Sequence, residues 1–189
     1  GSIWMGAAQL YNAKTKDDTR EILQAFAAEN KTSEWVDGRG IKNGIISTRQ
    51  ELDEIIPDRP VYINAYDGHT SWANTKALEL AGILQPGKEA PGVGVIVRDE
   101  NGLATGELRE TAMELVSDLI PLPSEARKRE LLKMAMKKIN ATGVTSVHNM
   151  NGDLNELQFF AAVEYAGEMT VRVYTPYHIK PETTEQDLS

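Results

Sequence analysis

Apolar and polar positions along this chain switch repeatedly between a period near 3.6 and runs that suit strands, and the switches mark out alternating helices and strands. Ile22, Leu23, Phe26 and Ala27 recur at i, i+1, i+4 and i+5, which makes one apolar stripe on a helix. Thr15 is its expected N-cap, Asp17 and Asp18 suit the positive end of its dipole, and Asn30 is its expected end. Glu34 to Gly40 reads as a short strand running into a glycine-containing loop. Thr48 opens a second helix, Arg49 to Ile56, and Pro57 stops it. The apolar run from Pro60 to Tyr66 is a strand, and an Ala/Leu-rich helix after it closes at Ala81-Gly82.

Residues 83–110 break this rhythm with Gln85-Pro86-Gly87 and Pro91-Gly92. Val93 to Arg98 and Leu103 to Leu108 then form an expected β-hairpin with Asn101-Gly102 at its turn. An insertion lying over one end of the α/β body and a plain edge hairpin both fit that segment. A helix from Thr111 to Ile120 ends at Pro121 and Pro123. Ser124 caps the longest helix, Glu125 to Ala141, and Gly143 sits just past its end. A buried strand from Val144 to Val147, a helix from Leu154 to Ala166 and a strand from Thr170 to Tyr177 complete the order. Strand, helix, strand argues for βαβ units and a parallel sheet.

At 189 residues the chain is long enough for a real core but short of the ~250 that a complete (β/α)₈ barrel takes. A net charge of −8 argues against a general nucleic-acid or anionic-membrane surface. With no cysteine, disulfides and thiolate metal sites are excluded. No apolar run approaches the ~18 residues of a membrane span. The compartment is left open, with the cytoplasm as the expectation. Gly1-Ser2 reads as a cleavage scar.

Candidate chemistry concentrates in Asp67-Gly68-His69-Thr70-Ser71-Trp72-Ala73-Asn74-Thr75-Lys76-Ala77-Leu78, read as a strand-to-helix turn. In α/β proteins such turns aim side chains into a shared cleft. The plainer reading is a capped helix start, with Asn74 or Thr75 as N-cap and Trp72 as a packing residue. His69, His148 and His178 each fall at or just past the carboxyl end of an expected strand. Three imidazoles are enough protein ligands for zinc with a water, although no two are close in sequence. Alternatively, His69 polarises a carbonyl or holds a leaving group, and His148 lines the same pocket. Backbone-bonded turn and strand-end histidines remain equally open, with Asn149 or Asn151 as the expected partner of His148. No Ser or Cys nucleophile motif and no phosphate loop is present.

Four stretches, in order, resemble the metal-dependent amidohydrolases of the amidohydrolase family 3 type, which include N-substituted formamide deformylases. They are Trp35-Val36-Asp37-Gly38-Arg39-Gly40; Arg59-Pro60-Val61 with Asp67-Gly68-His69, Trp72, Asn74 and Ala77-Leu78; Arg98-Asp99-Glu100-Asn101-Gly102 leading to Thr105-Gly106-Glu107-Leu108-Arg109-Glu110; and Gly143-Val144-Thr145-Ser146-Val147-His148. Thr75 stands where the family usually has Ser. The resemblance implies a divalent metal, zinc, but the H-x-H pair that holds it in the family is not in this sequence, and the later ligand strands are also missing. The chain is therefore expected to be an internal piece of a longer enzyme that hydrolyses C–N bonds, silent by itself and holding no metal.

The expected fold is α/β, a partial (β/α) TIM-barrel-like fragment. Residues 3–82 and 111–189 would supply βα units, and 83–110 an inserted hairpin lobe. The resemblance adds Glu110 as a residue facing the site or fixing a lid, beside His69, Trp72, Asn74 and His148 as substrate-binding residues. The alternative is a self-standing small-molecule-binding module without catalysis. A truncated barrel exposes strand edges, so a homo-oligomer or domain swap is also expected.

Overall fold

In the computed structural model, which describes residues 5–150, 152–176 and 184, the helices begin where the polar caps predict. Helix α1 spans Lys16–Glu29 behind a reciprocal capping box: Thr15 Oγ1 accepts the Asp18 N–H at 3.1 Å, and Asp18 Oδ2 accepts the Thr15 N–H at 3.0 Å. The Lys14 and Thr15 backbone N–H groups hold the Asp18 carboxyl below its ordinary range. Helix α2, Arg49–Ile55, repeats the device with Thr48 and Glu51. Helix α3, Thr75–Leu80, is capped by Asn74.

Helices α1 and α2 connect strands β1 (Ala8–Gln9), β2 (Val36–Ile41) and β3 (Val61–Ala65), which pair in parallel as two βαβ units. Here the regularity ends. The segment read as a strand-to-helix turn contains a further strand, β4 (Thr70–Ala73), antiparallel to β3 with Ile63 opposite Trp72. The link between them, residues 66–69, is far too short for the dozen or more residues of a parallel crossover, so the chain doubles back.

The hairpin of β5 (Val95–Arg98) and β6 (Ala104–Arg109) is antiparallel, as its Asn-Gly turn predicts. It is not a separate inserted lobe, because β6 pairs with β4 and extends the same sheet in the order β1-β2-β3-β4-β6-β5. The expected helix from Thr111 to Ile120 is instead a 3₁₀ turn, Glu110–Met113, followed by the short helix α4, Glu114–Ser117. The chain divides into two compact units, one of residues 6–122 and one of residues 1–5 with 123–189, so the hairpin lies wholly within the first.

Both faces of the six-stranded sheet carry a core. On one face Leu10, Val36, Val61, Ile63 and Trp72 meet Leu23, Leu52 and Ile55 of α1 and α2. On the other, Tyr62, Ala73 and Leu108 meet Leu78, Ile83, Ala112 and Val116. Full burial of each such Leu or Ile contributes ~1.5–3 kcal/mol, so the two layers together hold the sheet.

The second unit contains α5 (Glu125–Ala141), β7 (Ser146–His148), α6 (Leu154–Tyr165) and β8 (Arg172–Tyr174). Strands β7 and β8 are parallel, and Leu132, Met136, Val163 and Val171 form a small core. The strand near Val144–Val147 is not buried as expected: Ser146 and His148 are exposed and Val147 only half-buried. A two-stranded sheet has no third strand to cover either edge. The fold is thus mixed α/β, with parallel and antiparallel pairs.

Candidate active site

Topology brings several strand ends to one edge of the six-stranded sheet. Strands β1, β2 and β3 run parallel, and two antiparallel steps through β4 return β6 to the same direction. Tyr11, Asn43, the turn Tyr66–His69, and Glu110 just past β6 therefore share an edge, the one at the carboxyl ends of the strands. That is where α/β proteins commonly gather their chemistry.

The turn is built by Asp67. Its Oδ1 accepts the backbone N–H of His69 at 2.9 Å and of Thr70 at 3.2 Å, and its Oδ2 accepts the Asn43 amide at 2.8 Å. The Asn43 bond, then the His69 N–H, holds this carboxyl below its usual range. One side chain thereby ties the loop after β2 to the histidine turn.

His69 Nδ1 lies 3.3 Å from Glu110 Oε2, and the Glu110 backbone N–H donates to the His69 carbonyl at 3.1 Å. Glu110 has φ +50°, the one non-glycine residue with positive φ among those described. A left-handed L-residue costs ~1–2 kcal/mol, which the β4–β6 pairing and the following 3₁₀ turn sustain. With its proton on Nδ1 donated to Glu110, the imidazole presents Nε2 as an acceptor that can take a proton and, once protonated, return it. The side chains of His69 and Glu110 are 70% and 47% exposed, so the pair is open to a ligand.

Trp72 and Asn74 are placed differently. Asn74 is fully buried: Oδ1 accepts the N–H groups of Val61 at 2.9 Å and Ala77 at 3.0 Å, and Nδ2 donates to the Arg59 carbonyl at 2.9 Å. Its amide is engaged by the backbone, which matches the capping reading. Trp72 packs in the core and also lines a cavity of about 460 Å³ with Asn43, Gly44, Ile46, Ser47, Thr70, Glu107 and Arg109. Glu107 is held there by the Arg109 guanidinium, at 2.7 Å from Nε.

His148 belongs to the second unit, where its ring lies 5.1 Å from that of Tyr174. The Asn149 amide, an expected partner of His148, donates to Glu156 instead. Asn151 and His178 lie outside the described residues. Among the described residues no three His, Cys, Asp or Glu side chains gather as a metal-ligand set, so these residues do not fit the metal implied by the resemblance. Asp67 opens the conspicuous stretch of the sequence but, like Asn43, is not among the expected substrate-binding residues, although an Asp-Gly pair just before a histidine is a recognisable turn signal.

The chain has a mixed α/β body with a His–Glu pair at the carboxyl ends of its strands, and it belongs to the amidohydrolase family, whose model matches residues 3–188. Among its relatives, protein LONG AFTER FAR-RED 3 of Arabidopsis thaliana is 32% identical over 151 residues, covering 78% of this chain and 26% of that protein. The N-substituted formamide deformylase of Arthrobacter pascens is 30% identical over 165 residues, covering 82% of this chain and 30% of the enzyme. An uncharacterized metal-dependent hydrolase of Pyrococcus horikoshii OT3 superposes with a TM-score of 0.62 at 24% identity, over 93% of this chain and 34% of its own, a likeness of fold. The chain spans between a quarter and a third of the length of the curated relatives it matches. No helix among the described residues is long and apolar enough to cross a membrane.

Proposed function

We propose that this chain is an internal part of a longer amidohydrolase, a section of a (β/α) barrel, that hydrolyses the C–N bond of amide- or formamide-type substrates. Family membership supports the hydrolytic class, and the share of the relatives covered supports the reading as a part. The observation that carries the local chemistry is the 3.3 Å approach of His69 Nδ1 to Glu110 Oε2. In this reading Glu110 fixes the Nδ1–H tautomer, and His69 Nε2 handles a proton at the scissile group. Asp67 and Asn43 position the turn. The divalent metal of such an enzyme, zinc in our reading, would be held by residues other than the described ones.

The test is amine release from a panel of N-substituted formamides and simple amides, by this chain alone and by the longer protein that contains it. The expected result is turnover by the longer protein only, reduced about 10²–10⁴-fold by His69→Ala. Turnover by the isolated chain sinks the reading as a part, and no turnover by the longer protein sinks the hydrolytic reading. Isolated, the chain is expected to self-associate through open strand edges, and a monomer by light scattering at high concentration refutes this.

A further inference from the structure

We propose that Tyr11 and Tyr66 form a subsite that selects a flat aromatic group on the substrate, next to His69 and Glu110. The inference rests on the hydrolytic reading above and names its substrate class. Tyr11 follows β1 and Tyr66 follows β3, so both lie at the edge that carries His69. Their ring centroids are 6.3 Å apart and the planes meet at 84°. Neither ring is spent on the core: Tyr66 is 74% exposed and Tyr11 48%.

The corner is built into the backbone. Gly40 of β2 has φ +85°, and a Cβ there would fall 2.5 Å from Cδ1 of Tyr11. The Tyr11 ring thus lies where β2 carries no side chain. Tyr66 is anchored at the same seam, its N–H donating to the Ile41 carbonyl at 2.8 Å. The next residue is Asp67, which sets the His69 turn. Two rings at a right angle let a third ring stack on one while meeting the edge of the other, the two arrangements that aromatic quadrupoles favour.

The test titrates benzamide and cyclohexanecarboxamide, alike in size but flat and puckered, into the chain while NMR signals of Tyr11, Tyr66 and His69 are followed. Benzamide is expected to bind roughly 3- to 10-fold more tightly, by one favourable ring contact, and to shift all three sets of signals. Tyr66→Leu, a change at an exposed ring that thermal melting should show to be folded, is expected to abolish that preference. Tyr66→Phe should keep it. Equal affinities, no benzamide binding, shifts confined to other residues, or an unchanged preference in Tyr66→Leu each overturn the proposal. Neither titration needs turnover, so a failed preference leaves the amine-release result standing, and the reverse also holds.

Discussion

Glu110 makes a prediction in which stability and function move in opposite directions. Its backbone is left-handed at φ +50°, at the point where β6 ends and a 3₁₀ turn begins. Its carboxylate faces His69 across 3.3 Å. Two variants, Glu110→Gly and Glu110→Ala, remove the carboxylate equally. They differ only in backbone: alanine keeps the left-handed penalty of ~1–2 kcal/mol, and glycine does not. Glycine in turn gives the unfolded chain extra freedom that costs ~0.4–1 kcal/mol. The difference leaves Glu110→Gly more stable than Glu110→Ala by about 0.5–1 kcal/mol.

The lost pair contributes little in either variant. Both partners are largely open to water, and exposed pairs of this kind are worth ~0–1 kcal/mol. Glu110→Gly should therefore match or slightly exceed the parent, while Glu110→Ala falls below both. Urea melts with a common slope, supported by thermal melts, measure the order. In the longer enzyme both variants should lose activity alike, by up to about 10⁴-fold, the scale of removing a carboxylate that fixes the tautomer of a catalytic imidazole. That outcome would mean that the strain is kept for the carboxylate it aims. Glu110→Ala as stable as Glu110→Gly refutes the strain argument, and full activity in either variant refutes the role given to the carboxylate.

Burial holds the Asp37 carboxyl at about 6 against an ordinary 3.8, despite the nearby Arg39. The folded chain thus keeps this proton more tightly than the unfolded one, so its stabilising effect is complete below 3.8 and is lost as pH rises through about 6. Asp37→Asn should raise stability by about 1–3 kcal/mol near pH 7.5 and flatten the profile between pH 4 and 7 in urea melts; a less stable variant at pH 7.5 contradicts this. Gly106 has φ +112°, and a Cβ there would lie 2.9 Å from both the Ala73 carbonyl oxygen and the Arg49 nitrogen. Gly106→Ala should cost about 3 kcal/mol, since backbone on both sides cannot yield, and a loss under ~1 kcal/mol in the same melts would show that it does. Asn74→Ala strips three backbone groups of a buried partner and should cost about 2–4 kcal/mol, whereas a near-neutral melt would show that water replaces the amide.

What the sequence disclosed and what it hid divide along one physical line. Helix starts were legible because a cap is a local event: Thr15 with Asp18, Thr48 with Glu51 and Asn74 with Ala77 all act within three residues. The hairpin turn at Asn101-Gly102 was legible for the same reason. Strand β4 was not, because Thr70-Ser71-Trp72-Ala73 is too short to show a period, and its direction is decided by the length of the link before it. With β4 hidden, the hairpin had no partner strand and read as a lobe apart.

The candidate site suffered from the same gap. His69 and Glu110 were each conspicuous, but they are 41 residues apart and meet only because β4 and β6 pair with Thr70 opposite Arg109. The approach of Tyr11 to bare Gly40 backbone, and of its ring to Tyr66, likewise needs three strands in register. Residue type revealed which groups have chemistry, and sheet order decided which of them meet. The His69–Glu110 pair therefore depends on the β4–β6 register, and the Tyr11–Tyr66 corner on that of β1, β2 and β3. If a one-residue slip of β4 against β6 were engineered, alternate side chains would exchange faces, and the His69–Glu110 pair should be lost even with every site residue unchanged.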